Sequence, residues 1–138
     1  MFRHVGIVIK DINKQLKFYK ELLELEIYYE KIERGYFLES LIDKKDVEPL
    51  IFKLGKEGKT IVELLYFNNS ELIQKKDLAS PGITHFAITV EDIDSLYKKM
   101  KEAEINFLNQ PQISDDGKFK VCFCQDYELN FLELVQVL

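Results

Sequence analysis

Two histidines and two glutamates carry the chemistry this sequence could perform. His4 and His85 are its only two histidines, and they sit in one local phrase written twice: H-V-G-I-V-I-K-D-I and H-F-A-I-T-V-E-D-I. A second repeated phrase closes each half, Ile61-Val62-Glu63-Leu64 and Phe131-Leu132-Glu133-Leu134. A glutamate inside an apolar strand is costly to bury without a partner. Two such glutamates and two histidines at repeated positions suggest a shared cation. Imidazole and carboxylate donors suit a borderline divalent ion such as Ni, Co, Zn, Mn or Fe. Binding should weaken below about pH 6, where imidazoles protonate.

Alternation along a strand decides which way these side chains point. His4, Gly6 and Val8 share one face of the first strand, and Val5, Ile7 and Ile9 share the other. In the repeat, His85, Ala87 and Thr89 lie opposite Phe86, Ile88 and Val90. The apolar faces should pack on helices, which leaves both histidines on the opposite side, each two residues before a small residue. By the same parity Glu63 and Glu133 oppose Val62 and Leu64, and Leu132 and Leu134.

The elements that must hold these residues follow from pattern. Phe2 to Ile9 reads as a strand. Asp11 caps a helix with Ile12, Leu16, Tyr19, Leu22 and Leu23 at helical spacing. Leu25 to Ile32, Pro49 to Leu54 and Thr60 to Tyr66 read as strands, the last two joined by a G-K-E-G-K turn, Gly55 to Lys59. Gly35 to Glu48 reads as a loop or short helix, and Glu33 to Asp46 as either a lid or a solvated excursion. The second half repeats the plan: a strand at Ile83 to Val90, a helix capped by Asp92, then strands near Ile105 to Leu108, Phe119 to Cys124 and Asn130 to Val137. The expectation is an α+β fold of two βαβββ modules, about 1–67 and 82–138, joined by a linker at about 68–81. Tyr19, Tyr97 and Met100 are expected in the core.

Bulk properties narrow the partners. The chain has 138 residues and a formal net charge of −5, which argues against nucleic acid or an anionic membrane surface. No apolar run is long enough to span a bilayer, and structure starting at Phe2 leaves no room for a signal peptide. Cys122 and Cys124 lack metal spacing and read as strand residues of a reduced, cytoplasmic protein. Lys56 and Lys59 read as a solvated hairpin, while Lys118 and Lys120 are candidates to meet an anionic substrate tail.

These phrases together resemble the vicinal oxygen chelate superfamily, the glyoxalase and bleomycin-resistance fold, over essentially the whole chain. H-V-G-I-V-I-K-D-I…F-Y-K-E-L-L resembles a first module, V-E-L-L-Y its end, and G-I-T-H-F-A-I-T-V-E-D-I-D the start of a second. Q-D-Y-E-L-N-F-L-E-L-V is similar to the family's D-P-D-G-N-x-[IL]-E-L-V, with Tyr127 and Leu129 in place of the Pro and Gly. The resemblance implies a curved mixed sheet around a central cavity, helices outside, metal ligands at His4, Glu63, His85 and Glu133, and a homodimer. It does not carry glutathione: the position of the family's cofactor-holding arginine is Val8, and that of its asparagine is Phe67.

The chemistry implied is proton transfer next to a carbonyl, with a divalent ion stabilising an enediolate. Glu133 is the expected base or shuttle and Glu63 its counterpart. Val8, Phe67, Thr89 and Phe131 would form a mostly apolar wall for a small-molecule substrate. The outcome is a lyase of the glyoxalase I kind or an epimerase of the methylmalonyl-CoA kind. A non-catalytic binder of the bleomycin-resistance kind generally lacks the quartet. Fosfomycin-type thiol transferases and extradiol dioxygenases resemble three-ligand patterns.

Overall fold

In a computed structural model the described residues are 2–68, 78–79 and 81–138. Most of the expected linker lies outside them. The chain divides into two compact units, residues 1–73 and 74–138.

The first unit runs β1 (Val5–Ile9), α1 (Ile12–Leu16), β2 (Glu26–Ile32), α2 (Tyr36–Ile42), β3 (Leu50–Lys56) and β4 (Lys59–Tyr66). Its sheet has the order β1-β4-β3-β2, with β1 parallel to β4 and the other pairs antiparallel. The second unit runs β5 (His85–Thr89), α3 (Ile93–Glu102), β6 (Asn106–Phe107), β7 (Gln112–Ile113), β8 (Phe119–Gln125) and β9 (Phe131–Val137). Its order is β5-β9-β8-β6, with β7 also on β8. β5 is parallel to β9, as β1 is to β4. The repeated βαβββ plan therefore holds with one addition in each copy: α2 in the first, where the sequence reads as irregular, and the two-residue strand β7 in the second.

α1 and α3 start by the same device. The Asp11 carboxylate accepts from the Lys14 N–H and the Asp92 carboxylate from the Ser95 N–H, each at 3.0 Å. This satisfies a backbone donor that the first helical turn leaves open. The Gln136 side chain on β9 accepts from Ile93 N–H at 3.0 Å and ties the start of α3 to its sheet.

Ile7, Ile9, Phe52, Leu54, Val62 and Leu64 are buried with Phe18, Tyr19, Leu22 and Leu23 of the first helix, and Ile88, Leu132 and Leu134 with Ile93 and Met100 of α3. The parity reading is thus correct on both sheets. Tyr97 is only half-buried and meets Phe107 edge-on.

The first helix differs from the expected one in its hydrogen bonding and in one inward residue. After Leu16 it widens into a π-helical turn over Lys17–Leu22. The buried positions, Gln15, Phe18, Tyr19, Leu22 and Leu23, still follow the i, i+3, i+4, i+7, i+8 stripe of one helix face, with Gln15 rather than Leu16 buried one turn before Phe18 and Tyr19.

The β3–β4 hairpin is tighter than the expected five-residue turn. The strands continue to Lys56 and from Lys59, leaving Glu57 and Gly58, both at positive φ, as a type I′ turn requires. Gly55 lies in the strand at a register shift. A Cβ there would sit 1.8 Å from the Lys59 carbonyl oxygen, so the close approach requires glycine.

Candidate functional site

Each unit brings one histidine onto one glutamate by the same construction. Gly6 stands opposite Glu63 in the β1–β4 ladder, and Ala87 opposite Glu133 in the β5–β9 ladder. The histidine two residues earlier lies on the same face and reaches over the small residue. His4 Nε2 is 3.3 Å from Glu63 Oε2, and His85 Nε2 is 3.6 Å from Glu133 Oε2. His4 lies just before β1 and His85 opens β5, so the expected strand starts at Phe2 and Ile83 are too early.

The surroundings of the two pairs differ. Tyr29 on β2, Lys53 on β3 and Glu63 on β4 are successive register partners, and with His4 they form one polar row across the first sheet. Lys53 Nζ is 3.3 Å from Glu63 Oε1 and 5.0 Å from the centre of the Tyr29 ring. The Tyr29 hydroxyl donates to the Glu33 carboxylate. That bond, then desolvation and the negative charges of Glu33 and Glu63, hold the phenol above its usual value of 10.0.

In the second unit Phe123 takes the place of Lys53, directly across from Glu133. Its ring meets His85 edge-on, centroids 5.1 Å apart. Thr84 Oγ1 lies 3.0 Å from His85 Nδ1, which engages that nitrogen and leaves Nε2 for the carboxylate. The sequence reading missed Tyr29, Lys53, Thr84 and Phe123. Lys53 carried a signal, since it is a lone charge in the apolar run L-I-F-K-L, as Glu63 is in I-V-E-L-L.

The donors fit a small divalent ion. Such ions hold imidazole nitrogen and carboxylate oxygen at about 2.0–2.2 Å, so two ligands of one ion lie roughly 3 Å apart. The two separations, 3.3 and 3.6 Å, are close to that spacing. Each pair supplies half of the expected four-ligand set. Among the described residues, neither unit adds a third His, Cys, Asp or Glu able to complete a metal cluster.

The remaining expected site residues are spread along the same faces. Phe131 is the register partner of His85. Val8 and Thr89 are exposed at the far ends of β1 and β5, about 13 Å along the strand from the histidines at 3.3 Å per residue. Phe67 follows the end of β4 and is half-buried. Lys120 is turned to the helix side, where it pairs with Asp94, and Lys118 pairs with Asp116. Lys56 and Lys59 are exposed on the hairpin.

The closing turn departs from the family pattern yet is well held. The buried Asp126 carboxylate accepts from Glu128 N–H, Asn130 N–H and the Asn130 side chain at 2.9, 2.9 and 2.8 Å. Leu129 takes the left-handed conformation, φ 69°, that glycine would occupy without strain. Tyr127 donates to the Ala103 carbonyl at 3.0 Å.

Residues 3–123 match the model of the glyoxalase/bleomycin resistance protein/dioxygenase superfamily. The chain belongs to that superfamily. The match contains His4, Glu63 and His85 and ends before Glu133. A probable lactoylglutathione lyase from Synechocystis is 27% identical, the alignment covering 96% of this chain and 92% of that protein. A glyoxalase family protein from Bacillus cereus superposes with a TM-score of 0.87 at 16% identity, over 99% of this chain and 93% of that one. The trypanothione-dependent glyoxalase I of Leishmania major gives 0.66 at 22% identity, over 96% and 84%. The last two likenesses are likenesses of fold.

Proposed function

We propose that this protein is a divalent-metal-dependent lyase or isomerase of glyoxalase I type, which moves a proton on a carbon next to a carbonyl. The observation that carries this reading is the twofold occurrence of one construction, an imidazole nitrogen held 3.3 or 3.6 Å from a strand glutamate. The relative described as a probable lactoylglutathione lyase supports it. His4, Glu63, His85 and Glu133 would hold the ion. When bound, such an ion supplies Lewis-acid stabilisation of the oxygen on which negative charge develops.

The chain's own residues divide the remaining work. Glu133, which has no lysine or arginine on it among the described residues, takes and returns the proton. Glu63, engaged at both oxygens by His4 and Lys53, keeps its place. Thr84 fixes the His85 ring. Phe123 and Phe131 flank the Glu133–His85 pair with apolar surface and limit water there. Val8, Phe67, Thr89 and Phe131 complete the proposed substrate wall, and a homodimer in the cytoplasm is part of the same reading.

Protein purified without chelator is expected to carry about one transition metal per chain. It should turn over either the methylglyoxal–glutathione hemithioacetal or, as an epimerase, methylmalonyl-CoA. Val8 in place of the expected arginine favours the second substrate over the first. Protein free of metal that gains no thermal stability from added Ni, Co, Mn or Zn rejects the reading. It would leave a non-catalytic small-molecule binder, which the Lys53–Glu63 pair favours because it neutralises Glu63 from within the chain.

A further inference from the structure

We propose that Lys53 is an exchangeable counter-ion of Glu63, holding the carboxylate in the metal-free protein and yielding it to an arriving divalent cation. This rests on the metal reading above. Glu63 offers two oxygens and both are occupied, Oε2 facing His4 Nε2 and Oε1 facing Lys53 Nζ, each at 3.3 Å. A divalent ion on this carboxylate therefore meets a positive charge already there. Either the ammonium leaves or the ion binds against like-charge repulsion.

The geometry gives Lys53 a way out. Its side chain is 35% exposed, so the ammonium can rehydrate without burying a lone charge. The Tyr29 ring lies under it, centroid 5.0 Å from Nζ, as a second electrostatic partner. The four-carbon stem of lysine allows that shift without moving the strand. The placement is also built in by the backbone. The register shift between Leu54 and Gly55 brings Lys53 opposite Glu63 and leaves Leu54 opposite Val62.

The second unit supplies the contrast. Phe123 stands where Lys53 would be, and Glu133 has no ammonium on it among the described residues. The two pairs therefore contribute unequally to holding a cation, and Lys53 sets the difference. Lysine here tunes the metal affinity of its neighbour; it is a positioning residue that need not touch substrate.

The test is calorimetric titration of the metal-free, full-length protein with zinc or nickel chloride. Lys53→Met and Lys53→Gln should each bind the ion about tenfold more tightly than wild type, the scale of removing one partly screened like charge. Lys53→Arg should stay within about twofold of wild type, and so should Lys56→Met, which removes the same charge from the exposed hairpin. Circular dichroism of each variant confirms the fold. Lys53→Met and Lys53→Gln binding metal no more tightly than wild type would overturn the proposal and leave the metal reading standing. Absence of binding in wild type and all variants would overturn both. Tightening by Lys56→Met equal to that of Lys53→Met would also overturn it, because net charge alone would then account for the effect.

Discussion

Lys53 stands directly across the β3–β4 ladder from Glu63, its ammonium 3.3 Å from Oε1. The corresponding place across from Glu133 is held by Phe123. Two modules with the same histidine and the same glutamate thus present different environments to those side chains. One carboxylate is balanced by a cation on its own sheet, and the other is walled by an aromatic ring. Two carboxylates given different surroundings are suited to different tasks.

That difference predicts unequal roles. Glu133→Gln is expected to lower kcat by about 10²- to 10⁴-fold while the far-ultraviolet spectrum and melting temperature stay close to wild type. Glu63→Gln is expected to act first on metal content, measured by elemental analysis, because it leaves the Lys53 ammonium without its counter-charge. Equal kcat and metal content in the two variants would remove the distinction.

Gly55 is the residue on which the first half-site's register depends. Any side chain there meets the Lys59 carbonyl at 1.8 Å, and that contact is backbone that cannot rotate away. Gly55→Ala is expected to destabilise the protein by roughly 3 kcal/mol in urea unfolding, the range of overpacking with a backbone shift. Gly58→Ala, in open space at φ +75°, should cost only the strain of its conformation, about 1 kcal/mol.

Gln15 is fully buried, and neither atom of its amide has a hydrogen-bond partner among the described residues. Leaving such a group unpaired costs about 1–3 kcal/mol. Gln15→Met, close in volume and apolar, is expected to raise stability by about 1–2 kcal/mol in the same unfolding assay. A loss of similar size would show that a buried water satisfies the amide.

The turn before β9 is a second place where stability can be read. Asp126 is 2% exposed and accepts three hydrogen bonds from Glu128 and Asn130. Asp126→Ala should cost about 3 kcal/mol and loosen the approach to Glu133. Leu129→Gly, which removes the Cβ from a left-handed position, should recover about 0.5–1 kcal/mol.

The buried thiols predict an alkaline limb. Burial pushes Cys122 from 9.0 up to about 11, with a smaller contribution from Asp94, and burial raises Cys124 further. Once unfolded, a thiol ionises near its ordinary value. Between about pH 9 and about pH 11 the unfolded chain therefore binds fewer protons than the folded one. Stability should be unaffected by these groups below pH 9 and fall as pH rises through that window. Urea midpoints at pH 8, 9 and 10 measure it, and Cys122→Ala should flatten the slope. A thiol reagent at pH 8 should label neither cysteine until denaturant is added.

Much of this was legible in the sequence because the signals are local. Strand parity placed His4, His85, Glu63 and Glu133 on the faces away from Ile7, Ile9, Leu64 and Leu134, and alternation needs only the neighbouring residues. The caps at Asp11 and Asp92 were legible for the same reason, since each side chain bonds three residues away. The repeat supplied the rest, down to the small residues Gly6 and Ala87 that turn out to stand opposite the glutamates.

Tertiary structure decided what depends on register and packing. Lys53 was visible as a charge in an apolar strand. A one-residue bulge at Ile61 of β4, beside Gly55, decided that Lys53 faces Glu63 and leaves Val62 to Leu54, and a shift of one exchanges the faces of a strand. Packing likewise decided that Gln15, although polar, is buried on the stripe of Phe18, Tyr19 and Leu22 while Leu16 is only half-buried. The sequence by itself determined which side chains can meet on one face of each module. Backbone pairing across the sheet determined which of them are neighbours, and so why one glutamate carries an ammonium and the other an aromatic ring.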